Sequence, residues 1–153
     1  MAAPGDVYFM AHRALHSAKP HFCIVVGCDG DKRVVVSFAT SQYDKRLEYA
    51  KRMGYPKETI VQVAADRYTA FDRLTVIDCN SVYVQDAPDF DAMVSSRGTS
   101  KKPSLPSDIL TRIIKGIHAS PRSTDEIRRI IGNPTVVAKA STPRIEVSKL
   151  PKR

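Results

Sequence analysis

Residues 21–40 read HFCIVVGCDGDKRVVVSFAT. Two apolar, β-branched runs, HFCIVVGC and VVVSFAT, flank the polar break CDGDKR. Runs of this kind suit pleated, buried strands. The Asp29-Gly30 pair offers the positive-φ positions that a tight reversal needs. The stretch therefore predicts a β-hairpin, entered after Pro20 and closed at Thr40.

Three more strand candidates lie around it: GDVYFMAH at 5–12, ETIVQVAA at 58–65 and RLTVIDCNSVYV at 73–84. In the last, Val82 and Val84 alternate against Tyr83. DKRLEYAKRMG at 44–54 predicts a short helix with Leu47, Ala50 and Met53 on one side and Gly54 as its stop. Its other faces carry Lys45, Arg46, Lys51 and Arg52, cations suited to phosphate contact without base specificity. Residues 86–104 are rich in Pro, Ser, Gly and mixed charge, show no period, and predict a mobile loop. A helical pair follows. Ser107 is the expected N-cap of the first helix, and Ile109, Leu110, Ile113, Ile114 and Ile117 form its apolar stripe up to Pro121. Ser123 and Glu126 suggest a capping box for the second, with Ile127, Ile130 and Ile131 as its apolar face and Gly132 at its end.

The expected fold is α+β: a small, twisted, largely antiparallel sheet or partial barrel, then a C-terminal helical hairpin, within residues 1–132. Residues 133–153 read as a flexible basic tail or an added edge strand. They carry five Lys/Arg against one Glu, so +4 of the chain's net +8.

The 153 residues suit one domain and are too few for a (β/α)₈ barrel. Lys and Arg outnumber Asp and Glu by 24 to 16, which points to an anionic partner or to a basic solvated surface. No run of 18 apolar residues and no signal-peptide pattern is visible, so a cytoplasmic protein with no membrane partner is expected. Cys23, Cys28 and Cys79 do not form a disulfide framework and read as free thiols. They are not spaced with His12, His16, His21 or His118 as a zinc site requires. There is no phosphate-binding Walker loop, dinucleotide fingerprint, nucleophile elbow or HExxH pattern, and Gly27 and Gly30 read together as a turn. No metal or cofactor is expected. Tyr43, Tyr49, Tyr55 and Tyr68 are candidates for stacking on unpaired bases, Tyr43 first because it follows Thr40 closely.

The segment order resembles a known family. Gly5-Asp6-Val7, the Lys19-Pro20 pair leading into FCIVVG, and VVVSFATSQ resemble the N-terminal half of PemK/MazF-type toxins. ADRYTAFDRLTVI and the helical pair ILTRIIKGIHASPRSTDEIRRIIG are similar to divergent bacterial members. The resemblance spans residues 5–132 and implies an SH3-like twisted barrel, a homodimer, and an endoribonuclease that cuts single-stranded RNA without a metal. In that chemistry the 2′-hydroxyl attacks the adjacent phosphate and leaves a cyclic phosphate and a 5′-hydroxyl. An antitoxin with an acidic or apolar segment blocks the groove.

Carried over by position, Thr40 and Ser41 would bind the scissile phosphate, and Lys19 stands where the family has arginine. His21 and His16 lie nearby as acid-base candidates, and Arg67 and Arg73 align loosely with charged family positions. Lysine is a point charge where arginine offers a planar fork. The substitution implies slower cleavage, a histidine acting instead, or no cleavage. The alternative on the same fold is a non-catalytic module that binds RNA, DNA or an acidic protein through Lys19 and helix 44–53.

Overall fold

The 21–40 hairpin is present. In a computed structural model, which describes residues 1–15 and 18–132, β2 (His21–Asp29) pairs antiparallel with β3 (Arg33–Thr40). Three residues turn the chain, and Lys32 N–H donates to the Asp29 carbonyl at 2.9 Å. Gly30 alone takes a positive φ in this turn. Gly27 is not part of it. It sits inside β2 at a register shift, where a Cβ would lie 2.8 Å from Ile131 Cα. Glycine is there for close approach to a helix, not for reversal.

The other strands are β1 (Val7–Met10), β4 (Ile60–Val63), β5 (Thr75–Asp86) and β6 (Ser100–Lys102). All pairings are antiparallel, and the open six-stranded order is β4-β5-β3-β2-β1-β6. The helices are α1 (Tyr43–Met53), α2 (Ala87–Val94), α3 (Ser107–Ala119) and α4 (Asp125–Ile131). The fold is therefore α+β, with the helical hairpin α3–α4 after the sheet. The expected tail, 133–153, lies outside the described residues.

Residues 86–104 are not a loop: they end β5, form α2 and form β6. Helix α2 buries only Ala87 and Phe90, too few positions to show a helical period, although a proline in its first turn fits a helix start. Strand β6 is Ser-Lys-Lys and owes its place to backbone pairing with β1, which side-chain pattern does not record. The caps also shift. Ser107 lies within α3 behind Pro106, and Thr124, not Ser123, caps α4 by accepting from Ile127 N–H at 3.2 Å. Ser123 Oγ donates instead to the Ile117 carbonyl at the end of α3.

Alternation along the strands divides the core. One face carries Val7, Ile24, Val26, Val35 and Ile77 and packs on the isoleucine stripes of α3 and α4. Each isoleucine so buried contributes about 1.5–3 kcal/mol. The opposite face carries Tyr8, Met10, Cys23, Val25 and Val36 beneath Phe90 of α2. On that same face, Ala50 of α1 covers Ile60 and Val76. Met53, expected on the buried side of α1, is exposed. Between α1 and α2 no described helix lies on this face, and residues 12–15 pack there, with His12 edge to face with Phe38 at 5.0 Å.

Two features bear on stability. Gly116 of α3 sits where a Cβ would lie 2.7 Å from both Cys79 Sγ and the Glu58 carbonyl oxygen. Gly116→Ala is expected to cost about 1–3 kcal/mol through overpacking, measured by urea unfolding. His12 is only 4% exposed. Its Nδ1 accepts from Ala14 N–H at 3.0 Å, so Nε2 carries the hydrogen and donates to Gln85 Oε1 at 2.6 Å. Burial holds this neutral ring below the ordinary histidine value, and the neighbouring Arg13 charge acts the same way against the Gln85 bond. The folded state therefore resists a proton that the unfolded chain accepts. Stability should fall as pH drops below about 6.5, by up to about 1.4 kcal/mol per pH unit. Urea midpoints taken across that range for the native chain and for His12→Gln check this: the variant should lose that part of the slope.

Candidate functional site

Two hollows meet where β2 begins and β3 ends. The first, about 310 Å³, is lined on the sheet face that carries α1 by Leu15, His21, Phe38, Thr40, Arg46, Asp78 and Tyr83, among others. The second, about 280 Å³, lies toward the other face and includes Phe22, Ser41, Phe71, Asp72 and Arg73. His21, Ala39, Thr40 and Gln42 line both.

Backbone register makes this junction. Phe22 pairs with Ala39, so one step further His21 stands opposite Thr40. Side chains alternate along a strand, so Phe38 and Thr40 share a face, as do His21 and Cys23. His21 Nδ1 lies 2.9 Å from the Lys19 carbonyl oxygen. A carbonyl only accepts, so Nδ1 carries the hydrogen and the neutral ring offers Nε2 as a proton acceptor. Thr40 Oγ1 accepts from Gln42 N–H at 3.2 Å, which leaves its own hydroxyl hydrogen to donate elsewhere.

Strand β5 supplies the floor and carries a large bulge. Between the pairs Ser37–Val82 and Ala39–Ile77, β3 advances two residues while β5 advances five. Asp78 faces the hollow by alternation from Val76, the partner of Thr40, and its side chain is only 7% exposed. Its Oδ1 accepts from both Asn80 N and Asn80 Nδ2 at 3.0 Å, and Oδ2 lies 3.5 Å from Arg46 Nη1. Asn80 is itself held by Thr59 Oγ1 at 2.9 Å and by Ser120 Oγ, which donates to Asn80 Oδ1 at 2.6 Å. Phe38 and Tyr83 meet edge to face at 5.7 Å on the aromatic side of the hollow.

Of the residues singled out from sequence, His21, Thr40, Ser41, Arg46 and Arg73 line the hollows. Lys19 is exposed and lines neither, but its carbonyl orients His21. Lys45 and Arg52 lie on the face of α1 shared with Tyr49, and Arg52 stands 5.6 Å over the Tyr49 ring. Arg67 pairs with Asp108 and ties the turn Ala65–Arg67 to α3. Arg73 pairs with its neighbour Asp72 at 3.1 Å. Tyr43 is half-buried and accepts from Gln62 Nε2 at 3.3 Å, while Tyr68 is buried with its hydroxyl donating to the Pro103 carbonyl. His16 lies outside the described residues.

Leu15, Phe38, Gln42, Asp78, Ser81 and Tyr83 were not singled out. Alternation from Thr40 back to Phe38 was a usable signal, but a bulge leaves no trace in composition. The thiols offer no nucleophile, because burial pushes Cys23, Cys28 and Cys79 up from the ordinary thiol range. Among the described residues, no group of His, Cys, Asp and Glu is placed to hold a metal ion, and no helix is long and apolar enough to cross a membrane. Neither protein-family models nor curated proteins match the chain.

Proposed function

We propose that the chain is an endoribonuclease that cuts single-stranded RNA by internal attack of a 2′-hydroxyl. The observation that carries this reading is His21: an imidazole whose tautomer is set by a backbone carbonyl and which lines the junction of two hollows opposite the Thr40 hydroxyl. In the proposed step, Nε2 of His21 takes the 2′-hydroxyl proton and the oxygen attacks phosphorus. Thr40 donates to a non-bridging phosphate oxygen. The leaving 5′-oxygen takes a proton from water in the open cleft, giving a 2′,3′-cyclic phosphate and a 5′-hydroxyl.

Arg46 and Arg73 flank the junction from its two sides and supply positive potential. The Arg73–Asp72 pair is exposed, so Arg73 can change partner for a phosphate at little cost. Unpaired nucleotides fit this shape because bases must splay out to enter separate hollows. On this reading, a cytoplasmic partner protein that lays an acidic or apolar segment across the junction blocks RNA, and a homodimer follows the resemblance.

Arg46 is drawn toward the buried Asp78, which favours a second reading: a module that binds RNA without cutting it. One experiment separates the two. Purified chain is mixed with single-stranded RNA at low salt in EDTA, and the ends are analysed. Fragments with 5′-hydroxyl and cyclic phosphate ends are expected, and intact RNA at protein excess sinks the nuclease. His21→Ala should slow cleavage about 10²–10⁴-fold and Thr40→Val about 10²-fold, each with an unchanged circular dichroism spectrum. RNA affinity should fall with salt, and Arg73→Ala should reduce the log–log salt slope by about one.

A further inference from the structure

We propose that one flank of α1 is a track for single-stranded nucleic acid, carrying a strand onward from the first hollow. The inference reaches beyond the junction of the two hollows and rests on the RNA reading for its ligand class.

Residues three and four apart are neighbours on a helix surface. Arg46, which lines the first hollow, therefore leads to Tyr49, and Tyr49 leads to Arg52, with Lys45 one turn before Tyr49 on the same side. The contact is direct at the far end, where Arg52 stands 5.6 Å over the Tyr49 ring. Tyr49 is 37% exposed and meets Tyr55 edge to face at 6.3 Å, so its ring is held in place yet reachable. The helix also sorts its charges. Asp44, Glu48 and Lys51 share the opposite flank, and the side that carries Arg46, Tyr49 and Arg52 holds no acid of α1. Lys45 and Arg52 are exposed, and among the described residues neither forms an ion pair.

Cations that alternate with a ring suit a backbone of phosphates that alternates with bases. The ammonium and guanidinium groups neutralise phosphates, and the ring or the guanidinium over it takes a base. An acidic peptide would use the cations and leave the ring idle. From Lys45 to Arg52 the track runs about 10 Å along the helix axis. Phosphate contact and stacking require neither a 2′-hydroxyl nor a particular base. The track therefore takes DNA as well as RNA, and it adds footprint rather than sequence preference.

The test titrates the full chain at low salt with an oligodeoxythymidine of about 12 nucleotides, within the usual range of single-strand sites. This probe has no 2′-hydroxyl, so the proposed cleavage step cannot consume it. Tyr49→Ala should weaken binding about 5- to 150-fold, and Tyr49→Phe, which keeps the ring, should stay within about twofold of the native chain. Lys45→Ala and Arg52→Ala should each lower the log–log salt slope by about 0.7. Charge reversal controls for net charge. Lys45→Glu with Arg52→Glu should weaken binding more than Arg112→Glu with Lys115→Glu, a pair of exposed cations on α3 across the sheet. Polyglutamate should bind more weakly than the oligomer and ignore Tyr49→Ala. Undetectable oligomer binding, no effect of Tyr49→Ala, equal losses in the two charge-reversed chains, or polyglutamate bound as tightly as the oligomer overturns the inference. RNA cleavage with a silent α1 flank overturns the track and leaves the nuclease standing. The expected losses without RNA cleavage support the track and remove the nuclease.

Discussion

The register of β2 against β3 is the constraint on which the site rests. Phe22 faces Ala39, and from that pair follow both the placement of His21 against Thr40 and the division of the core between two faces. A slip of one residue would send every side chain of one strand to the other face. Val35 and Ala39 would leave the isoleucines of α3, and Phe38 and Thr40 would be pushed toward them. Apolar burial on both faces therefore locks the register, and the site inherits that precision. His21 and Thr40 stand at the adjoining ends of these two strands, while α1 and β5 bring Arg46 and Asp78 to them.

The β5 bulge does a different job. Asp78 meets Arg46 by alternation from Val76, while the surplus residues carry Asn80 toward the helical hairpin. Thr59, Asn80 and Ser120 form a connected set of hydrogen bonds from the turn before β4 to the end of α3. Gly116 lets α3 lie directly on Cys79, the bulge residue between Asp78 and Asn80. The carboxylate in the cleft is thus tied through one asparagine to the packing of the hairpin on the far face. A buried polar network of this kind rigidifies only while every member is satisfied.

How far the sequence was legible follows from what each element is made of. The 21–40 hairpin, α1 with its Gly54 stop and the isoleucine stripes of α3 and α4 are side-chain patterns, and they were readable. Helix α2 and strand β6 were not, because one buries two residues and the other is held by backbone pairing at the sheet edge. The same distinction runs through the site. His21, Thr40 and Ser41 lie at ends of legible strands. Ser81 and Tyr83 depend on a register shift in β5 that no spacing encodes, whereas Asp78 follows from alternation with Ile77 and Cys79.

The lysine at position 19 bears on how the cleft handles charge. Its side chain lines neither hollow, yet its carbonyl fixes the ring of His21, a backbone service that any residue at that position can supply. The cationic work then falls to Arg46 and Arg73, and each lies beside a carboxylate. The two pairs are not equivalent. Asp72 is solvated and gives up its partner readily, whereas Asp78 is buried and would be left as a desolvated charge if Arg46 swung away. A phosphate therefore draws on Arg73 more easily than on Arg46. On the proposed RNA reading, that asymmetry favours the second hollow over the first for the backbone charge of a bound strand.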